Sequence, residues 1–304
     1  MRLWWCGPPP SNESTMLGTD ANVITLSAPL VETDFDPALN VLWISMAIQR
    51  NRPQNFSQLM LHSLQDLIKR ISENKSTWYG DDQDHPIHYA VLRSRHPAYF
   101  NVGGDLNHFL ECIRRDDSES LRIYSVQCLD MMYQWATAIT RQSTTIALVQ
   151  GRALGGGFET ALSADYIVAE EQAEFGFPEI LFGLFPCTGG MSLLARRVGV
   201  HEAEKIMRNG KIYSAHELEE LGIIDRVCPP GAGESAIEEF IVEHSKRRKA
   251  RQALQDAKAR MTALNYEELN YVVNDWVAAA MCLTDNELRV LETLVKMQKS
   301  EFAH

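Results

Sequence analysis

Glu159 and Glu179 are the residues of this chain whose type and spacing best suit chemistry. Glu159 follows three glycines, Gly155, Gly156 and Gly157, and these follow an apolar run at residues 145–149 that reads as a buried strand. Phe158, Ala161 and Leu162 continue at helical spacing, so the pattern predicts a strand that breaks at Gly151 and opens through glycines into a helix. The first amides of such a helix lack intrahelical acceptors and sit at the positive end of its dipole, where they can hold a developing negative charge. Glu159 falls on the first helical turn, and Glu179 comes twenty residues later, after a Phe-Gly-Phe-Pro turn. Two carboxylates beside preorganised amides suit proton transfer next to an activated carbonyl. Taken singly, each part also has a plainer use: a glycine-rich turn packs tightly or cradles phosphate, and a first-turn Glu stabilises the helix dipole. The dinucleotide spacing G-x-G-x-x-G is absent, and Phe158-Glu159 stands where a phosphate loop carries Lys-Ser/Thr.

Residues 151–186, GRALGGGFETALSADYIVAEEQAEFGFPEILFGLFP, resemble the signature of the crotonase (enoyl-CoA hydratase/isomerase) superfamily. Residues 99–106, YFNVGGDL, stand where that superfamily has its first oxyanion loop, and residues 209–227, NGKIYSAHELEELGIIDRV, agree as well. The resemblance runs in order over residues 40–228. Within the superfamily, FNVGGDL, GFPEILFGLFP and a helical tail are most similar to the diffusible-signal-factor synthases, bacterial enzymes that make cis-2-unsaturated fatty acid signals.

This resemblance implies an α/β, crotonase-like spiral of repeated ββα units with a C-terminal helical extension. It implies oxyanion donors at the Val102 and Gly156 N–H groups and a catalytic pair in Glu159 and Glu179. Gly103, Gly104, Gly155 and Gly157 permit close approach of backbone to substrate, and Trp276 and Leu294 are the implied apolar walls of an acyl pocket. The implied activity is dehydration of a 3-hydroxyacyl thioester on acyl carrier protein followed by thioester hydrolysis. The alternative is an enoyl-CoA hydratase/isomerase of fatty acid metabolism, with acyl-CoA as substrate. A binding protein that keeps the fold is a third reading, which the presence of both Glu opposes. A homotrimer or dimer of trimers and a sensor-kinase receiver domain are the implied assembly and partner. Two departures bear on the pocket: Phe177 stands where the hydratase pattern has Gln, and Pro186 is followed by Cys187-Thr188 rather than Gly.

Around these residues the pattern predicts strands at 40–47, 88–93, 145–149 and 166–169 and helices at 56–71, 106–116, 120–139, 191–198 and 201–208. Residues 73–86 read as a loop and residues 50–54 as a turn. Ser214–Glu217 and Thr284–Glu287 match capping boxes. Residues 1–38 read as an irregular arm, 39–230 as the α/β core, and 231–304 as a helical region of three stretches, 237–264, 266–283 and 286–298.

Composition narrows the class. The chain has 304 residues, 45% hydrophobic and 23% charged, ordinary for a globular protein. No run of eighteen apolar residues and no signal-peptide pattern occurs, so a cytoplasmic location is expected. A net charge of -11 disfavours nucleic acid. The dense basic run at 245–251 reads as a solvated helix face or, less simply, a dock for an acidic carrier. Six scattered cysteines form no C-x-x-C pair and no zinc spacing, so neither a metal nor a cofactor is expected.

Overall fold

The computed structural model describes residues 29–49, 52–80, 82–139 and 143–301, with the side chains of 299–301 left aside. Most of the expected arm, residues 1–28, lies outside the described residues, as do parts of the 50–54 turn.

Strands β1 (Val31–Asp36) and β2 (Val41–Met46) pair antiparallel, and helix α1 (Gln58–Glu73) follows. A small hairpin, β3 (Thr77–Gly80) with β4 (Gln83–Pro86), leads into β5 (Tyr89–Ser94) and β6 (Tyr99–Asn101). Helices α2 (Leu106–Arg114) and α3 (Ser118–Thr137) precede β7 (Thr144–Val149), β8 (Arg152–Leu154) and α4 (Gly156–Leu162). Next come β9 (Tyr166–Glu170), β10 (Glu174–Gly176), a single 3-10 turn (Pro178–Phe182), α5 (Gly190–Val198) and α6 (Val200–Arg208). Then β11 (Ile212–Ser214), α7 (Ala215–Glu220) and β12 (Arg226–Cys228) close the α/β part. Four helices finish the chain: α8 (Gly233–Ser245), α9 (Arg248–Met261), α10 (Tyr266–Met281) and α11 (Asp285–Glu301).

A six-stranded sheet runs β1-β2-β5-β7-β9-β12 and a four-stranded one runs β11-β10-β8-β6. Three times in succession a long strand of the first sheet hands over to a short strand of the second: β5 to β6, β7 to β8, β9 to β10. The three short strands pair in parallel, with Phe175 opposite Ala153 and Asn101 opposite Ala153 on its other side. Their C-terminal ends therefore open side by side, the usual place for a ligand in parallel sheets. This is the expected spiral α/β architecture.

Strands β2, β5 and β7 are buried along their whole length. Parallel strands covered on both faces read as continuous apolar runs rather than alternating ones. One face packs with α1 and α3 through Leu42, Ile44, Leu92, Met60, Leu64 and Leu129. The other face, with Val41, Val91, Ile146 and Leu148, is covered by Ala236, Ile237 and Ile241 of α8.

Three readings of the chain need correction. Residues 31–36, placed in the irregular arm, form strand β1; its acidic residues Glu32, Asp34 and Asp36 depress strand propensity but suit an exposed sheet edge. The expected loop at 73–86 contains the β3–β4 hairpin, whose polar sequence carries no alternation. The stretch 237–264 is two helices, parted at Lys246-Arg247, where residues 246–249 are all basic and would repel at helical spacing. Both capping boxes are formed: Ser214 and Glu217 reciprocally, and Thr284 N–H donating to Glu287 at 2.8 Å. Among the described residues no helix is long and apolar enough to cross a membrane.

Because α8 completes the core, Ile237→Ala should destabilise the protein by about 2–5 kcal/mol in urea unfolding. Val242→Ala, on the half-exposed face of the same helix, should change stability by no more than ~0.5 kcal/mol.

Candidate active site

The ends of β6, β8 and β10 deliver the expected residues to one cavity of about 210 Å³. The loop after β6 brings Val102 and Gly104, α4 brings Gly155, Gly156 and Glu159, and the 3-10 turn brings Glu179. Trp276 of α10 and Leu294 of α11 line the same cavity, so the tail closes over its own chain. Arg114 on α2 pairs with Glu292 at 2.5 Å and pins α11 in that position.

Glu159 is 1% exposed. Its Oε1 accepts the Thr188 N–H at 2.9 Å and the Gly190 N–H at 2.8 Å, and its Oε2 accepts the Thr188 hydroxyl at 2.6 Å. Burial pushes its pKa up, while these three hydrogen bonds pull it down. Glu179 is treated differently. Its Oε2 is shut off from solvent and has no hydrogen-bond partner among the described residues, although the residue as a whole keeps some accessible surface. Burial, and after it the Glu159 charge, raise its pKa to about 8. A charge on Glu159 raises the cost of a second charge on Glu179, because two neighbouring buried carboxyls cannot both be ionised cheaply. At neutral pH Glu179 favours its neutral acid form, while the three hydrogen bonds on Glu159 favour the ionised form of that group.

The amides are where close backbone packing is needed. Gly155 has φ +52°, and a Cβ there would collide with the Glu179 carboxylate. Gly156 N–H opens α4, has no partner in the loop network, and lines the cavity. The assignment of Val102 N–H as an oxyanion donor does not hold, because that amide donates to Gln54 O at 2.9 Å. Gly103 N–H is also committed, to Asn101 Oδ1 at 2.7 Å. Gly104 N–H makes no such bond, and Gly104 lines the cavity. Its nitrogen lies 3.7 Å from where a Cβ on Gly156 would stand, so the Gly104 and Gly156 amides are neighbours. Gly103 and Gly157, expected to touch substrate, do not line the cavity: Gly103 (φ +87°) packs on Leu154 O, and Gly157 seats α4 against Asn101.

Two contributors escape sequence reasoning. Tyr124 on α3 donates its hydroxyl to Phe56 O at 2.5 Å and accepts the Asp105 N–H at 2.9 Å, clamping the loop that holds Gly104. Thr188 holds Glu159. Both bonds span distant segments and leave no local pattern. The cavity thiols are inert as nucleophiles: burial raises Cys128 to about 12 and Cys187 well above the usual thiol range. Among the described residues no group of three or more His, Cys, Asp or Glu is arranged to hold a metal ion.

The arrangement is a pair of neighbouring amides beside two unlike carboxyl groups. Residues 45–275 match the enoyl-CoA hydratase/isomerase family model, and the chain belongs to that family. The enoyl-CoA isomerase/hydratase fer4 of Mycosarcoma maydis is 34% identical over 174 residues, 57% of this chain and 58% of that protein. A probable enoyl-CoA hydratase of Rhizobium meliloti (strain 1021) is 32% identical over 183 residues, 60% and 65% of the two chains. The chain thus matches less than two thirds of the length of these curated relatives. The crystal structure of human mitochondrial delta3-delta2-enoyl-CoA isomerase superposes with a TM-score of 0.72 at 18% identity, covering 90% of this chain and 99% of that one, a likeness of fold.

The Glu179 proton links pH to stability. The folded protein keeps it up to about pH 8, whereas an exposed Glu loses it near 4.5. The contribution is full below 4.5 and is lost as pH rises through about 8. Glu179→Gln removes that loss. The Tm of the variant minus that of the wild type should therefore grow steadily from pH 5 to pH 8.5.

Proposed function

We propose that the protein catalyses the reversible hydration of a 2-enoyl thioester, delivered as an acyl-CoA. The observation that carries this reading is the opposed state of the two carboxyl groups. Moving a double bond along a chain needs one carboxylate that shuttles a proton between two carbons. Adding water needs a base for the water and a separate acid for the α-carbon, and Glu159 and Glu179 are such a pair.

In this reading the thioester oxygen lies between the Gly104 and Gly156 amides, which hold the enolate charge as it forms. Glu159, as carboxylate, takes a proton from water while the water oxygen bonds to C3. Glu179, as neutral acid, gives its proton to C2. The water O–H, the Glu179 O–H and the C2–C3 π bond break, and a C3–O, a C2–H and a Glu159 O–H bond form. The two carboxyls regain their starting states by exchange with solvent. Run backwards, the same steps dehydrate a 3-hydroxyacyl thioester. The apolar wall, with Phe109, Trp276 and Leu294, suits a hydrocarbon chain.

Dehydration on acyl carrier protein followed by hydrolysis, the activity of the signal synthases, would use the same carboxylates. The curated relatives, both named for enoyl-CoA chemistry, support hydration over it.

The test is turnover of crotonyl-CoA. Loss of the conjugated enoyl thioester to a 3-hydroxyacyl product is expected, with kcat reduced about 100-fold or more in Glu159→Gln and in Glu179→Gln. Hydration kcat/KM should fall as pH rises through about 8, where Glu179 loses its proton, and dehydration kcat/KM should fall with it, because a pH-independent equilibrium constant links the two directions. Double-bond migration without hydration would overturn the reading. Release of free cis-2-unsaturated acid from a 3-hydroxyacyl carrier protein would replace it with the synthase activity.

A further inference from the structure

Thr188 occupies an unusual place: it is 4% exposed and gives both its amide and its hydroxyl to one carboxylate. Any residue at this position offers the amide. The hydroxyl belongs to the side chain alone.

The acceptor count on Glu159 shows what the hydroxyl does. Each carboxylate oxygen accepts about two hydrogen bonds. Oε1 already takes two, from the Thr188 and Gly190 amides. Oε2 takes one, from the Thr188 hydroxyl, and one acceptor position remains for a reactant. A 2.6 Å O–H···O contact is the short, charge-assisted kind that favours the ionised carboxylate. The titratable groups around Glu159 offer no substitute: Glu179 of the 3-10 turn, Cys128 of α3 and Cys187 of the preceding loop are acids held neutral by burial. Among the described residues no cation offsets the burial of Glu159, so its hydrogen bonds alone do so.

We propose that the Thr188 hydroxyl is a positioning residue that keeps Glu159 ionised and aims its single open acceptor position into the cavity. The proposal rests on Glu159 acting as the base in the hydration reading. It assigns a role to a side chain that never meets the substrate.

The experiment compares Thr188→Ser, Thr188→Val and Thr188→Ala with the wild type, with unfolding curves recorded to establish that each folds. Loss of a hydrogen bond to a charged group reduces its favoured state about 10- to 100-fold. Thr188→Val and Thr188→Ala should therefore lose about 10-fold or more in kcat with KM within twofold. The acid limb of their kcat/KM profile should move up by about one pH unit or more. Thr188→Ser should recover both. A second readout does not need turnover: the 13C carboxyl resonance of Glu159, assigned by its loss in Glu159→Gln, should titrate at higher pH in Thr188→Val than in Thr188→Ser. An unmoved Glu159 titration in Thr188→Val, or a serine variant as impaired as alanine, would overturn the proposal. Absence of crotonyl-CoA turnover in the wild type with a shifted Glu159 titration would instead remove the hydration reading and leave the Thr188 role standing.

Discussion

Two carboxyl groups share one cavity; Glu159 accepts three hydrogen bonds from neighbouring residues, while one oxygen of Glu179 has no partner among the described residues. From that inequality the rest of the site follows. In a low-dielectric pocket each added charge raises the cost of the next, so a pair of acids settles into one ionised and one neutral member. Thr188 and Gly190 decide which is which by giving all three of their donors to Glu159. Glu179 is left with burial and a neighbouring charge, and it keeps its proton to about pH 8. Two identical side chains are thereby given unlike surroundings.

The scaffold meets a geometric demand. In the proposed hydration two amides, a base and an acid converge on one thioester, and they come from segments far apart in sequence. Three short parallel strands solve this by ending side by side: β6 delivers Gly104, β8 delivers Gly156 and Glu159, and β10 delivers Glu179. Gly155 lets the Glu179 carboxylate lie against the strand-to-helix corner. Tyr124 ties Asp105 to Phe56 and so fixes the loop that holds Gly104. Behind these, α8 and α1 cover the two faces of the large sheet, and α10 and α11 roof the cavity with apolar side chains.

Much of this was legible in the residues alone, and what was not has a common cause. The strand, the glycine triplet and the helix after it are local, as are both capping boxes, and these readings stand in the structure. Glu159 and Glu179 were legible by type and by resemblance. The Val102 amide is not open as the expected first oxyanion donor, because Gln54 captures it from outside the motif, and the proposed reaction uses Gly104 two residues on instead. Tyr124 and Thr188 act through hydrogen bonds to distant partners, which no spacing rule encodes. Strand β1 is held by its pairing with β2 and not by its own propensity, so VETDFD reads as irregular until its partner is seen. The helical tail was legible as helix, but its division was not: α8 belongs with the sheet, while α10 and α11 belong with the site.

The central claim is that one cavity carboxyl is neutral and the other ionised at the same pH. Infrared spectroscopy of the resting protein at pH 7 reads this directly, since a neutral carboxylic acid has a carbonyl stretch that a carboxylate lacks. The account requires such a band in the wild type, its loss in Glu179→Gln, and its retention in Thr188→Ser. A wild type with no neutral-acid band, or a band that survives in Glu179→Gln and disappears in Glu159→Gln, would contradict it.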